Sequence, residues 1–167
     1  PMSVHWPIIR RCLTAPLGVA VIDDQRSYRR IALLAAAFTL ADALERRSTS
    51  RTVGVMLPTS GMFPIAALAG WITGRTVVPL NYLLKPDELQ YVLDDCGADT
   101  VVTVRPMLEF MGYTPARAGL LLLEDVPFRS VPSQLVKGLS DAARQRFDLD
   151  VLRPPTFAQL SQTLHQA

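Results

Sequence analysis

Three adjacent residues, Thr59-Ser60-Gly61 in the stretch VMLPTSGMFP (55–64), have the types that a phosphate-holding loop uses. Such a loop needs several glycines, so that successive backbone N–H groups converge on the anion, and usually a lysine to meet its charge. This stretch has one glycine, and the first lysine of the chain is Lys85. A Ser/Thr N-cap opening a helix accounts for the same letters without a ligand. The acidic pairs Asp23-Asp24 and Asp94-Asp95 have the type for metal or acid–base work, but neighbouring side chains on a strand or helix point apart, so solvated carboxylates are expected. Cys12 and Cys96 lie far apart with no partner at metal-ligand spacing, and His5 and His165 sit near opposite ends, so neither a metal site nor a disulfide framework follows.

The chain is 167 residues long, 49% apolar, with a formal net charge of +2. That suffices for one buried core, or for one domain with an appendage, and reads as a soluble globular protein. Its basic residues are almost all arginine. They are scattered singly or in pairs (Arg10-Arg11, Arg29-Arg30, Arg46-Arg47) without interleaved aromatics, which excludes a nucleic-acid surface by pattern. The first residues, PMSVHWPIIRRCLTAPLG, are interrupted by Pro7 and Pro16 and make a poor signal peptide, so a cytoplasmic location is expected. Pro1 before Met2 reads as a scar left by removal of a tag, with Met2 as the expected native start. The uncharged run GMFPIAALAGWITG (61–74) is shorter than the roughly twenty residues a bilayer span needs, and Arg75 follows at once; a buried helix is expected instead.

The elements that must position these residues alternate. GVAVID (18–23) is a short β-branched strand, and Asp24-Gln25-Arg26 turns the chain. Tyr28 then leads into a helix with the inner stripe Leu34, Ala37, Phe38, Ala41 and Leu44. TVGVML (52–57) is apolar on both faces, as a central parallel strand is, and feeds the helix at 61–73, which Gly74 stops as a C′ glycine. TVVPLN (76–81) is a strand; Pro86, Asp87 and Glu88 open the helix PDELQYVLDDC; Gly97 closes it before the strand DTVVTV (99–104). GLLLLEDV (119–126) is one more strand. Beyond it, SQLVKGLSDAARQRF (133–147) and TFAQLSQTL (156–164) read as helical pieces in a proline-rich tail. The predicted fold class is therefore α/β: a three-layer, mainly parallel sheet with helices on both faces over residues 18–126.

The residues from 51 to 104 resemble the early part of the adenylate-forming enzymes, the AMP-binding acyl-CoA synthetase and ligase superfamily. The likeness is carried by the strand VGVMLP, the helix ending AGWITG, the strand VVPLN, the helix start LKPDEL and the strand GADTVVTV. Upstream, VIDDQRSYRRIALLAAAFTLADALERRS is similar to the family's hairpin with S/T-Y leading into a long helix; Tyr28 fits, while Arg30 replaces the usual acidic residue. The resemblance covers 18–105 well and thins from 106 to 155, and TFAQLSQTL is similar to a short helix that precedes the family's phosphate loop. It implies a leader at 1–17, an α/β subdomain at 18–130 and a tail at 131–167 leading toward a phosphate-loop region that the sequence does not contain. Thr59-Ser60-Gly61 then occupies the place of a helix start and is structural.

In the family, acyl-adenylate formation rests on neutralising a triphosphate, holding Mg²⁺ and placing a cation on the reacting groups. The motifs that carry these tasks do not occur here, so the resemblance assigns no catalytic, cofactor-binding or metal residue to this chain, and leaves substrate-binding residues open. Trp71 and Tyr91 either line an acyl tunnel of the complete enzyme or, as is commoner for aromatics, pack helix against sheet. Asn81, at a strand's C-terminal end, is a ligand candidate. The resemblance implies the N-terminal, scaffold portion of an ATP-dependent acyl-CoA or acyl-carrier-protein synthetase that activates a fatty or related acid, inactive alone. ATP, Mg and coenzyme A are then cofactors of the complete enzyme, and the remainder of the ligase is the chain's partner. The alternative is a free-standing α/β binding or interaction module derived from such a ligase. An isolated chain is expected to form a homodimer through an exposed apolar helix at 62–73 or through an open sheet edge.

Overall fold

The structure, a computed structural model, describes residues 4–128. The helical pieces expected at 133–147 and 156–164, and His165, lie outside the described residues. Four parallel strands, β3 (Thr52–Val55), β4 (Thr76–Pro79), β5 (Thr100–Thr103) and β6 (Gly119–Leu122), form one sheet in the order β4-β3-β5-β6. In register, Thr52 stands beside Thr76, Gly54 beside Val101, and Val101 beside Leu120. β1 (Val19–Ile22) and β2 (Ser27–Arg29) form a separate antiparallel hairpin. The expected strand at 18–23 therefore exists but lies outside the parallel layer. Its turn returns the chain after four residues, and no helix intervenes to carry it across the sheet.

Side-chain alternation along the strands builds two cores. Val53, Val55, Val102 and Leu121 face one side, with residues of α1 (His5–Thr14), α2 (Arg30–Arg47) and α3 (Met62–Ile72). Met56 and Val101 face the other, with Leu89 and Leu93 of α4 (Pro86–Cys96) and Met107 of α5 (Arg105–Met111). Helices thus cover both faces, as predicted. Within the stretch read as a leader, α1 packs on α2 and α3 and buries Cys12. At the start of α2, the N–H groups of Arg30 and Ile31 donate to the carbonyls of Gly18 and Pro16 at 2.9 and 3.1 Å, so the α1–β1 loop satisfies amides that no side chain caps.

The buried stripe of α2 includes Leu33 and Leu40, whereas Phe38 is half exposed. Phe38 lies 100° around the helix from Ala37, the stripe's centre, and so falls on its edge. The buried helix expected at 61–74 is found, and the exposed apolar surface expected on it at 62–73 is corrected: Ile65 to Gly70 are all buried, because α3 lies between α2 and the sheet. Close approach needs a glycine there, since a Cβ on Gly70 would stand 2.5 Å from Val77 Cγ2. Gly74, at φ +71°, ends α3 in a Schellman motif: Arg75 N–H donates to Gly70 at 2.9 Å and Gly74 N–H to Trp71 at 3.0 Å. Pro86 and a capping contact, Lys85 N–H to Glu88 Oε2 at 2.9 Å, open α4 as the sequence indicated. Tyr91 of α4 is exposed and packs on no sheet, which corrects the packing reading for it.

Candidate functional site at the switch point of the sheet

β3 and β5 are neighbours in the sheet, yet the helices that follow them, α3 and α5, lie on opposite faces. The two connections diverge and leave a crevice beyond the carboxyl ends of the strands, the place where open α/β sheets hold ligands. A cleft of about 280 Å³ opens there. Pro58 comes from the end of β3, Tyr82 from the end of β4, and Val104, Pro106, Met107 and Phe110 from the end of β5 and from α5. Tyr82 and Phe110 meet edge to face at 6.0 Å, and Phe110 is largely exposed. The lining is apolar and suits an uncharged, flat or aliphatic group.

Asn81 sits at this edge, after β4, but outside the cleft lining. Its Oδ1 accepts Leu83 N–H at 3.0 Å, closing a local turn. One residue before the lining Val104, Thr103 is fully buried and its hydroxyl has no hydrogen-bond partner. Arg105 locks the end of β5 to the turn after β6, through Nη2 to Asp125 at 2.8 Å and its own N–H to Glu124 at 2.9 Å.

At Thr59-Ser60-Gly61 the anion position is filled by the protein itself. Gly61 N–H donates to Asp23 Oδ2 at 2.9 Å, while Asp23 Oδ1 accepts the N–H groups of Gln25 and Arg26 at 3.0 and 2.9 Å. These contacts, the one from Gly61 foremost, hold the Asp23 carboxyl down at about 2. The Ser/Thr N-cap expected here is corrected: Gly61 is the N-cap of α3 and no side chain caps it, while Ser60 Oγ, one residue earlier, accepts Met62 N–H at 3.3 Å in a local turn. Asp23 is thus separated in role from Asp24, which is exposed. The N-terminus of α3 does not fit a triphosphate, because its accessible amide is taken by a carboxylate.

The remaining candidates do not converge. Asp94 pairs with Arg117 at 2.9 Å on the surface and accepts Gln90 Nε2 at 2.9 Å, while Asp95 is exposed beside it. Trp71 is half-buried and packs against the helical core. Burial pushes the Cys12 thiol up, with Arg30 opposing the shift, and Cys96 is turned onto its own helix. Among the described residues no three His, Cys, Asp or Glu side chains come together as metal ligands, and no helix is long and apolar enough to cross a membrane.

One constellation escaped the sequence reading. Asp99, at the start of β5, accepts Ser48 Oγ at 2.6 Å and Thr100 Oγ1 at 3.0 Å on Oδ1. Its Oδ2 takes Thr49 N–H at 2.8 Å, Ser50 N–H at 3.0 Å and Thr49 Oγ1 at 3.0 Å. Partial burial raises the carboxyl, but the donors outweigh it and hold the group well below the usual carboxylate range. Ser48-Thr49-Ser50 follows α2 directly and its partner lies about fifty residues away, so no local signal marks the pair.

The described residues thus place an apolar cleft at the switch point of a parallel α/β sheet. The chain belongs to the family of AMP-binding enzymes, whose profile matches residues 10–154, and its fold is that of the N-terminal subdomain of the adenylate-forming ligases. A curated relative, the glycine betaine reductase ATRR of Emericella nidulans, is 37% identical over 93 residues, 54% of this chain and 7% of the relative. Among solved structures, the nonribosomal peptide synthetase FmoA3, bound to alpha-methyl-L-serine-AMP, matches at TM-score 0.67 and 16% identity, covering 79% of this chain and 15% of that one. The o-succinylbenzoate coenzyme A synthetase MenE of Bacillus subtilis, with ATP and magnesium ion, matches at 0.64 and 19%, covering 75% and 34%. The fatty acid AMP ligase of Legionella pneumophila matches at 0.65 and 14%, covering 75% and 24%. The chain thus spans between a fourteenth and a third of the length of these proteins.

Proposed function

We propose that the chain is the N-terminal scaffold portion of an ATP-dependent acid–thiol ligase, AMP-forming, that activates a fatty or related carboxylic acid through an acyl-adenylate. The observation that carries this reading is the coincidence of two extents: the family profile spans 10–154, while the chain spans a third or less of each relative. Residues 18–130 are the α/β subdomain, 1–17 its leader, and 131–167 the connection toward a phosphate-loop region. ATP and Mg then bind to the remainder of the ligase, with coenzyme A or a carrier protein as acceptor, and the chain alone is inactive. A cytoplasmic location belongs to the same proposal.

The test is the gene beyond codon 167, followed by acid-dependent ATP–pyrophosphate exchange with the extended chain. Continuation into a glycine-rich loop and exchange with fatty acids support the reading. A stop codon replaces it with the free-standing module, and exchange only with amino acids removes the fatty-acid assignment. An isolated chain is proposed to self-associate through a sheet edge, of which β6, with its run of leucines, is the more apolar. Light scattering that shows a concentration-independent 18.4 kDa species would exclude it.

A further inference from the structure

Of the eleven large apolar side chains that the described surface exposes, seven fall between Val4 and Ile22, on α1, the following loop and β1. Two of these seven, Ile8 and Val19, line a groove of about 560 Å³ between α1, the hairpin and α3. Its floor is Leu33 and Leu68, both buried; Ile8, Phe63 and Trp71 form walls. Two guanidiniums, Arg11 and Arg30, are its charged members, and no carboxylate lines it. Among the described residues neither arginine is ion-paired. Arg30 is seated by design: its Nη1 donates to Ala15 carbonyl at 3.1 Å, and its guanidinium lies where a side chain at residue 18 would stand, so Gly18 is what admits it. Arg30 is also the position at which the sequence departs from the acidic residue of the family pattern.

We propose that this groove binds a single-chain amphiphilic anion, an aliphatic tail with one acidic head, the tail along Ile8, Phe63 and Trp71 and the head at Arg11 and Arg30. The volume lies within the range of small-molecule sites, which are mostly apolar with a few placed polar groups. An apolar channel with two cations and no anion is complementary in charge to that ligand and to neither a neutral nor a cationic one. The groove shares no lining residue with the switch-point cleft, so its ligand need not be the acid that the proposed ligase activates.

The experiment is calorimetric titration of the 167-residue chain with dodecanoate below its micelle concentration. Intrinsic fluorescence serves as a second readout, since both tryptophans, Trp6 and Trp71, sit on helices that wall the groove. Saturable one-to-one binding is expected, with dodecyltrimethylammonium weaker by about tenfold or more, as loss of a charge-assisted head-group contact implies. Arg11→Glu and Ile8→Glu, both at exposed positions, are each expected to weaken dodecanoate about tenfold while the thermal melt stays that of the parent. Equal affinity for the anion and the cation, or undiminished binding in both variants, overturns the proposal. So does self-association that Ile8→Glu abolishes without any dodecanoate binding, which would make the groove an interface between copies. Binding to anionic vesicles but not to monomeric dodecanoate overturns it in favour of a membrane surface.

Discussion

Replacing Asp99 tests whether the edge of the sheet opposite the cleft is held by one carboxylate. Five donors converge on it, and two of them, the hydroxyls of Ser48 and Thr100, belong to residues only 4% and 2% exposed. Asp99→Ala leaves those two hydroxyls buried without their acceptor, at about 1–3 kcal/mol each. The amides of Thr49 and Ser50 lie nearer water and recover most of their loss by solvation, so their share is discounted. A total of about 3 kcal/mol follows. Asp99→Asn behaves differently. Its oxygen can keep the place of Oδ2 before the two backbone amides, and its NH₂ takes the place of Oδ1 before two hydroxyls, which can rotate to accept; only the charge is lost, at about 1 kcal/mol. Urea unfolding at pH 7 measures both. The sign with pH is fixed by the lowered carboxyl: its contribution is complete above the unfolded value of about 3.9 and disappears as pH falls toward the folded value. The gap between the parent and Asp99→Asn is therefore expected to narrow from pH 6 to pH 3. An alanine variant within about 0.5 kcal/mol of the parent, or an asparagine variant as damaged as the alanine one, refutes the reasoning.

Gly70→Ala is expected to destabilise by about 1–3 kcal/mol, because the new methyl meets Val77 at 2.5 Å and α3 must lift from the sheet; an unchanged thermal midpoint would show that the helix has slack. Thr103→Val removes a fully buried hydroxyl that has no partner and is expected to stabilise by about 1 kcal/mol, read by the same urea titration; a loss of stability would mean that the hydroxyl is in use. The isolated chain is expected to bind ATP·Mg²⁺ no more tightly than about 1 mM, because the Gly61 amide is occupied by Asp23. A micromolar dissociation constant by calorimetry would restore a phosphate-holding role to Thr59-Ser60-Gly61.

Sequence alone determined the elements whose signals are local. β3, β4 and β5 were legible as short apolar runs, their parallel pairing as the consequence of an intervening helix each time, and the ends of α3 and α4 from Gly74, Pro86 and Gly97, where backbone conformation dictates residue type. The order and spacing of these runs also carried the family resemblance. Whatever depends on residues far apart in the chain was decided by the tertiary structure. β1 looks like any apolar strand, and only its pairing with β2 removes it from the sheet. α3 is apolar all round and could have faced solvent, a partner or a core; being covered by α2 on one side and the sheet on the other makes it core. Asp23 and Gly61 are thirty-eight residues apart, and Asp99 and Ser48 fifty-one. A carboxylate's partners at that separation leave no periodicity in the chain, because hydrogen bonds of this kind are made by folding and not by spacing.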